Sequence, residues 1–172
     1  MELLGQVFGF CAVITSFVIY QQKSRKKFIQ FKLAIDLLWT LHFLFIGSRP
    51  AFITTALAIF REIVFFNKDK KWAKNRIWIF FFLSMFLTSA ILTWKNIYSV
   101  IPACASSLTT IAFWSNNVTT IKLLLLPASV GMFIYSMQAH SVAGIVNEII
   151  SVLSIITYFA ITYLKLFKNQ EE

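Results

Sequence analysis

Seven long apolar stretches alternate with short polar breaks along the chain. They cover residues 3–20, 28–46, 50–66, 77–94, 97–114, 121–137 and 142–166. Each run is continuous rather than alternating at every second residue, and each is close to membrane-spanning length. The pattern therefore predicts helices rather than the strands of a barrel. The breaks at residues 21–27 and 67–76 are basic, and the tail at 167–172 is hydrophilic.

The stretch at residues 31–66 organises the rest. It reads FKLAIDLLWTLHFLFIGSRPAFITTALAIFREIVFF. Two apolar segments flank the tight punctuation of Gly47, Ser48, Arg49 and Pro50, which predicts a transmembrane hairpin. Pro50 fits the first turn of the third helix, where its missing N–H costs nothing. Pro102 and Pro127 fall inside the fifth and sixth segments. In a soluble helix each would cost about 3 kcal/mol. In a membrane, neighbours can satisfy the freed carbonyl, and both are candidate hinges. Trp72, Trp78, Trp94 and Trp114 lie near segment ends, where interfacial anchors belong.

Composition makes lipid the solvent. Hydrophobic residues are 58% of the 172 and charged residues only 13%, against about 25% in a soluble domain. Mean hydropathy is +0.73. The fold class is thus an all-α membrane protein with seven transmembrane helices. A net charge of +9 would suggest nucleic acid in a soluble protein. Here the basic residues sit between apolar runs, so no nucleic-acid partner is expected. The phenylalanines of the fourth segment read as lipid contact and packing. Cys11 and Cys104 lie inside apolar segments and read as packing thiols, not a disulfide. No Cys/His spacing suggests a metal, and no cofactor is expected. The N-terminal run lacks a basic n-region and reads as a retained helix rather than a signal peptide.

Alternation of seven segments puts the breaks after the first, third and fifth, and the tail, on one face. With Lys32 and Lys122 that face holds thirteen of the sixteen Lys and Arg residues. The opposite face holds Arg49 and Lys95; Arg61 lies within a segment. The bias predicts an N-terminus outside and a C-terminus in the cytoplasm. By the same topology the sequon at Asn117, Val118 and Thr119 faces the cytoplasm and is discounted.

The layout is three segments, one, then three. The expected units are a first three-helix bundle at residues 1–66, a cytoplasmic linker and inversion helix at 67–96, a second bundle at 97–166, and the tail. A shift of 92 residues lays 3–66 over 95–158 and brings the turn at 47–50 onto 139–142. Residue identity under the shift is poor, so spacing carries it. An odd helix between the triplets gives both the same orientation, a parallel repeat.

The run His42, Phe43, Leu44, then Gly47, Pro50 and Arg61 is similar to a pattern in the bacterial inner-membrane protein family typified by YgjV, and the whole chain resembles that family. More distantly it resembles the SWEET and PQ-loop transporters. Gln21, Lys23 and Ser24 echo the PQ-loop turn. The resemblance implies a multi-pass protein of the bacterial inner (plasma) membrane, with a substrate path between two three-helix bundles. SWEETs carry an asparagine on the third and seventh helices at the sugar site. Asn147 looks like the seventh-helix one, while the 92-residue shift gives Thr55 on the third. Pro102 and Pro127 look like the fifth- and sixth-helix hinge prolines of that family, and Phe10 and Ile35 stand where the first two would be.

Depth selects the candidate site residues. Asp36 lies twelve residues before Ser48 and Arg61 thirteen after. At about 1.5 Å per residue they reach nearly the same level. A charge at mid-bilayer costs at least about 2.5–3.5 kcal/mol, so such groups pair or face a sheltered cavity. An Asp36–Arg61 pair is one arrangement. Lys32, one turn before Asp36, is the alternative partner, and Arg61 can instead snorkel past Phe66 to the interface. His42, Thr54 and Thr55 lie nearer the outside, level with Asn147 and Glu148 under the repeat. Together they could line a polar site, or His42 and the threonines could simply bond across helices or to backbone carbonyls. Glu148, a carboxyl within a membrane segment, is a candidate for coupling proton movement.

The expected function is a transporter or facilitator of a small polar solute, sugar-like or another metabolite. A non-transporting assembly partner or receptor is the alternative. The lipid bilayer and a small-molecule substrate are the expected partners, and whether chains form a homo-oligomer is open. An enzyme is not expected: the chain has no metal-binding helix motif, serine elbow or paired-aspartate signature.

Overall fold

A computed structural model describes residues 1–20, 25–115 and 117–168. The PQ-like turn of Gln21, Lys23 and Ser24 lies outside them, as do residues 169–172 of the tail. Among the described residues there are seven α-helices and no strand. They are α1 (Glu2–Tyr20), α2 (Arg25–Phe45), α3 (Arg49–Phe66), α4 (Ile77–Leu92), α5 (Ile101–Trp114), α6 (Val118–Gln138) and α7 (Val142–Lys168). The expected fifth segment is split. A 3₁₀ turn at Ile97–Val100 precedes α5. Asn96 caps that turn by accepting from the Tyr98 N–H, and Ser99 closes a reciprocal capping box.

Local signals explain the remaining boundaries. Pro50 occupies the first turn of α3, as predicted. Asn117 caps α6 through the Thr119 N–H, at 2.9 Å. Gly47 adopts φ +73° in the α2–α3 turn, the left-handed conformation that glycine reaches without strain. Pro102 falls in the first turn of α5. It therefore starts that helix and is not the interior hinge expected of it. Pro127 does lie inside α6.

Contacts order the helices into a ring. Each neighbour packs on the next in the sequence α1, α2, α3, α5, α6, α7 and back to α1, while α4 sits outside on α3 and α5. Small residues let the backbones close at the α1 seam. A Cβ built on Gly9 would lie 2.5 Å from Ala143 Cβ and 2.7 Å from His42 Nδ1. One buried cluster, including Phe65, Phe82, Phe86 and Phe113, joins α3, α4 and α5. A second, including Val13, Trp39, Phe43 and Tyr135, joins α1, α2 and α6.

The helices run up and down between two ends. At one end Gln6 bonds the backbone of His140 and Ala143, and Ser48 meets Tyr135. At the other, Lys26 pairs with Asp69, Lys68 donates to the Trp114 carbonyl, and Thr119 meets Tyr158. The basic segment at residues 67–76 lies at this second end.

The outside of the ring is apolar. Phe60, Phe80, Leu87, Ile91 and Leu123 are all strongly exposed. Cys11 and Cys104 are free and exposed there. Four helical stretches are long and apolar enough to cross a membrane: Glu2–Ile19, Ile97–Trp114, Thr119–Gln138 and Val142–Tyr163. The helices α2 and α3 carry more charge, and the part of it in mid-helix points inward. Asp36, Arg61 and Glu62 are 2%, 1% and 0% exposed. Phenylalanines of α4 divide between the roles expected of them: Phe80 and Phe81 face outward, and Phe82 and Phe86 pack inward.

Candidate functional site

The ring encloses a cavity of about 180 Å³ with walls from α1, α2, α3, α5, α6 and α7. Typical sites for drug-sized ligands run roughly 300–1,000 Å³, so the space suits a smaller solute. Four ionisable side chains reach it: Lys32, Asp36, Arg61 and Glu148. Hydroxyls of Ser16, Thr55, Ser129 and Ser151 join them, and Trp39 and Phe113 supply aromatic walls. Polar groups inside an apolar shell are tolerable only in such a sheltered place.

Asp36 pairs with Lys32, one turn earlier on α2. The second carboxylate oxygen, Oδ2, is buried and has no hydrogen-bond partner. Arg61 does not join them, so the Asp36–Arg61 pair is not formed. Depth had put the two side chains level, but level residues meet only if both helices are rotated toward each other. Arg61 instead turns to its neighbour Glu62, with Nε and Nη2 at 3.2 and 2.7 Å from Oε1. Its Nη1 donates to the Ser106 carbonyl at 2.9 Å and to Thr110 Oγ1 at 3.1 Å. The rings of Phe86 and Phe113 flank the guanidinium at 5.7 and 5.5 Å. Snorkelling to the interface is excluded by this burial.

Asn147 and Glu148 lie together on α7 at the cavity wall. Asn147 Nδ2 donates to Glu148 Oε1 at 3.0 Å, and Ser16 Oγ lies 3.3 Å from Asn147 Oδ1. Ser129 also bonds Glu148, and Lys32 is close enough to act on it electrostatically. Thr54 and Thr55 border the cavity too. Both hydroxyls, however, bond backbone carbonyls of their own helix, including that of Ala51. They are thereby committed locally.

His42 is at the expected depth but not at the cavity. It is wholly buried, with Nδ1 2.7 Å from the Gly5 carbonyl and Nε2 2.7 Å from Ser141 Oγ. It thus joins α2 to α1 and to the turn before α7, a packing role rather than a binding one. The close approach of Gly9 makes room for its ring.

Several participants were missed from sequence, in whole or in part. Glu62 reads from sequence as a charge that, with Arg61, faces a protein interior, but not as the partner of Arg61. Ser16, Trp39, Ser106 and Ser129 left no signal, because serines and aromatics are ordinary in membrane helices. Near the Ser48 end a second cavity, of about 190 Å³, is bordered by Arg49, Lys95, Asn96 and Gln138. Tyr135 and Ser48, 2.7 Å apart, border it as well.

A family of bacterial inner membrane proteins, Imp-YgjV, matches residues 3–170, and the chain belongs to it. No curated protein and no solved structure matches the chain.

Proposed function

We propose that this inner-membrane protein is a transporter or facilitator for a small polar solute, moved by alternating access between helices α1–α3 and α5–α7. The observation that carries the reading is the cavity at the centre of the helix ring, bordered by Lys32, Asp36, Arg61 and Glu148. A structural scaffold has no need to keep ionisable groups around an open space in lipid, where each is costly.

The helix order supports a 3+1+3 parallel repeat. Exchanging α1, α2 and α3 for α5, α6 and α7 turns the α3–α5 contact into the α7–α1 contact, and α4 is left outside. The α2–α3 and α6–α7 turns each use one left-handed residue, Gly47 and His140. Under the 92-residue shift Asp36 falls on Ala128 and Thr55 on Asn147, and all four border the cavity. The excess of Lys and Arg at the opposite end supports a cytoplasmic placement for that end. Cysteines placed at Arg49 and Lys70 would test it: in intact cells an impermeant maleimide should label the first and not the second.

The function itself is tested with purified protein in proteoliposomes. Uptake and thermal stabilisation are measured across sugars, nucleosides, vitamins, amino acids and amines. Saturable, protein-dependent uptake of any one supports the proposal. No uptake and no stabilisation across all of them overturns it in favour of an assembly partner or receptor.

A further inference from the structure

The geometry points to a small solute bearing a protonated amine as the class this cavity takes. The inference rests on the cavity being the substrate site proposed above. Its first support is the count of ionisable side chains among the described residues in and directly behind the cavity wall. Lys32 and Arg61 are the cations; Asp36, Glu62 and Glu148 are the carboxyls. The surplus is one carboxyl. Helices α1, α5 and α6 bring no ionisable group to this cavity wall.

The second support is independent of the count. Asp36 borders the cavity and is 2% exposed as a residue, and its buried Oδ2 is an acceptor with no donor. A buried carboxylate oxygen without a donor is unfavourable, and an incoming N–H would relieve it. Both basic groups are already paired with a carboxylate. Arg61 is held by Glu62, Ser106 and Thr110. Lys32 is bound to Asp36 and also acts on Glu62 and Glu148. Trp39 and Phe113 add ring faces at which a cation is favoured over a neutral group.

The test compares probes of one length and three charges: 5-amino-1-pentanol, 1,5-pentanediol and 5-hydroxypentanoate. Purified full-length protein in nanodiscs is heated with each at millimolar concentration. The amine should raise the unfolding temperature by about 3 °C or more, and the diol and the carboxylate should not. Glu148→Gln, which keeps an acceptor for Asn147, should lower the amine's affinity at least about tenfold, as should Asp36→Asn. If Asp36→Asn alone does not fold because Lys32 is left unpaired, Lys32→Gln with Asp36→Asn replaces it. Equal or greater stabilisation by the diol or the carboxylate overturns the inference, as does no shift with the amine or an unchanged amine affinity in the variants. Saturable uptake of a neutral solute with no amine effect would sink the cation class and leave transport standing. Amine binding without flux of any solute would do the reverse.

Discussion

Replacing Arg61 by methionine isolates the buried pair on α3. The substitution keeps an unbranched, helix-favouring side chain of similar reach and removes the charge. Its cost falls mainly on one neighbour. The Ser106 carbonyl still accepts from Thr110 Oγ1 at 2.7 Å, so it is not orphaned. Glu62, 0% exposed, loses the two bonds that reach its Oε1, and its Oε2 already has no partner. Removing one partner of such a buried pair costs about 3–5 kcal/mol. A snorkelling arginine in an exposed pair would cost only about 0–1 kcal/mol. The two cases differ by roughly two orders of magnitude in the folding equilibrium.

The decisive measurement is a double-mutant cycle. Arg61→Met and Glu62→Leu should each destabilise by about 3–5 kcal/mol. The double variant should cost no more than either single, giving a coupling energy of about 3–5 kcal/mol. Reversible unfolding in mixed micelles, followed by circular dichroism, reads all four corners. Arg61→Lys should recover only part of the stability, because a lysine cannot reproduce the fork shared by Glu62, Ser106 and Thr110. A single-variant cost below about 1 kcal/mol, or additivity in the double, refutes the reasoning. Arg61 would then reach water, and the interior would not be built on this pair.

Four further outcomes follow from particular positions. His42→Ala should cost about 1–3 kcal/mol by stranding the Gly5 carbonyl and Ser141, yet leave solute affinity unchanged; a binding titration with equal stability loss and weakened affinity would return His42 to the site. Gly9→Val should destabilise by about 1–3 kcal/mol through overpacking against Ala143 and His42. Gly47→Ala has open space around its Cβ and should cost about 1–2 kcal/mol, from φ alone; chemical unfolding that ranks Gly47→Ala well above Gly9→Val counts against the α1 seam. Tyr135→Phe removes the 2.7 Å link to Ser48 and should cost about 0.5–1.5 kcal/mol while increasing maleimide labelling of a cysteine at Ser136; unchanged labelling would show that the link does not close this end.

The apolar runs made the seven helices legible, because lipid demands long uninterrupted segments and basic breaks mark their ends. What they did not reveal was a device hidden within one run: the Asn96–Ser99 capping box, which starts the fifth segment as a 3₁₀ turn. Depth was legible for the same geometric reason, since rise per residue is fixed. Rotation about the helix axis was not. Asp36 and Arg61 therefore found different partners at one level, and His42 turned toward Gly5 and Ser141 instead of the cavity. Asn147 and Glu148 needed no such choice, because their shared depth and their neighbour Ser16 placed both at the wall.

The two halves of the ring are alike in arrangement and unlike in chemistry. Lys32, Asp36, Arg61 and Glu62 all belong to α2 and α3, whereas α5, α6 and α7 bring mainly serines, threonines, Asn147 and the single carboxyl of Glu148 to the same space. The bonds between halves also differ from end to end. Gln6, His42 and Ser48 reach the α6–α7 end through His140, Ser141, Ala143 and Tyr135. These are uncharged links, each worth about 0.5–1.5 kcal/mol net, a size that thermal opening and solute binding can reverse. At the α3–α5 seam the link is Arg61, whose guanidinium donates to Ser106 and Thr110, charge-assisted bonds worth about 1.5–3 kcal/mol each. A rocking motion would therefore keep the α3–α5 seam as its pivot and open where the weaker contacts gather, at the Ser48 end. On the proposed transport reading, an immobile charge cluster beside the pivot would hold the solute while the uncharged latch alone changes state, and the fixed charge would then belong on one half of the ring.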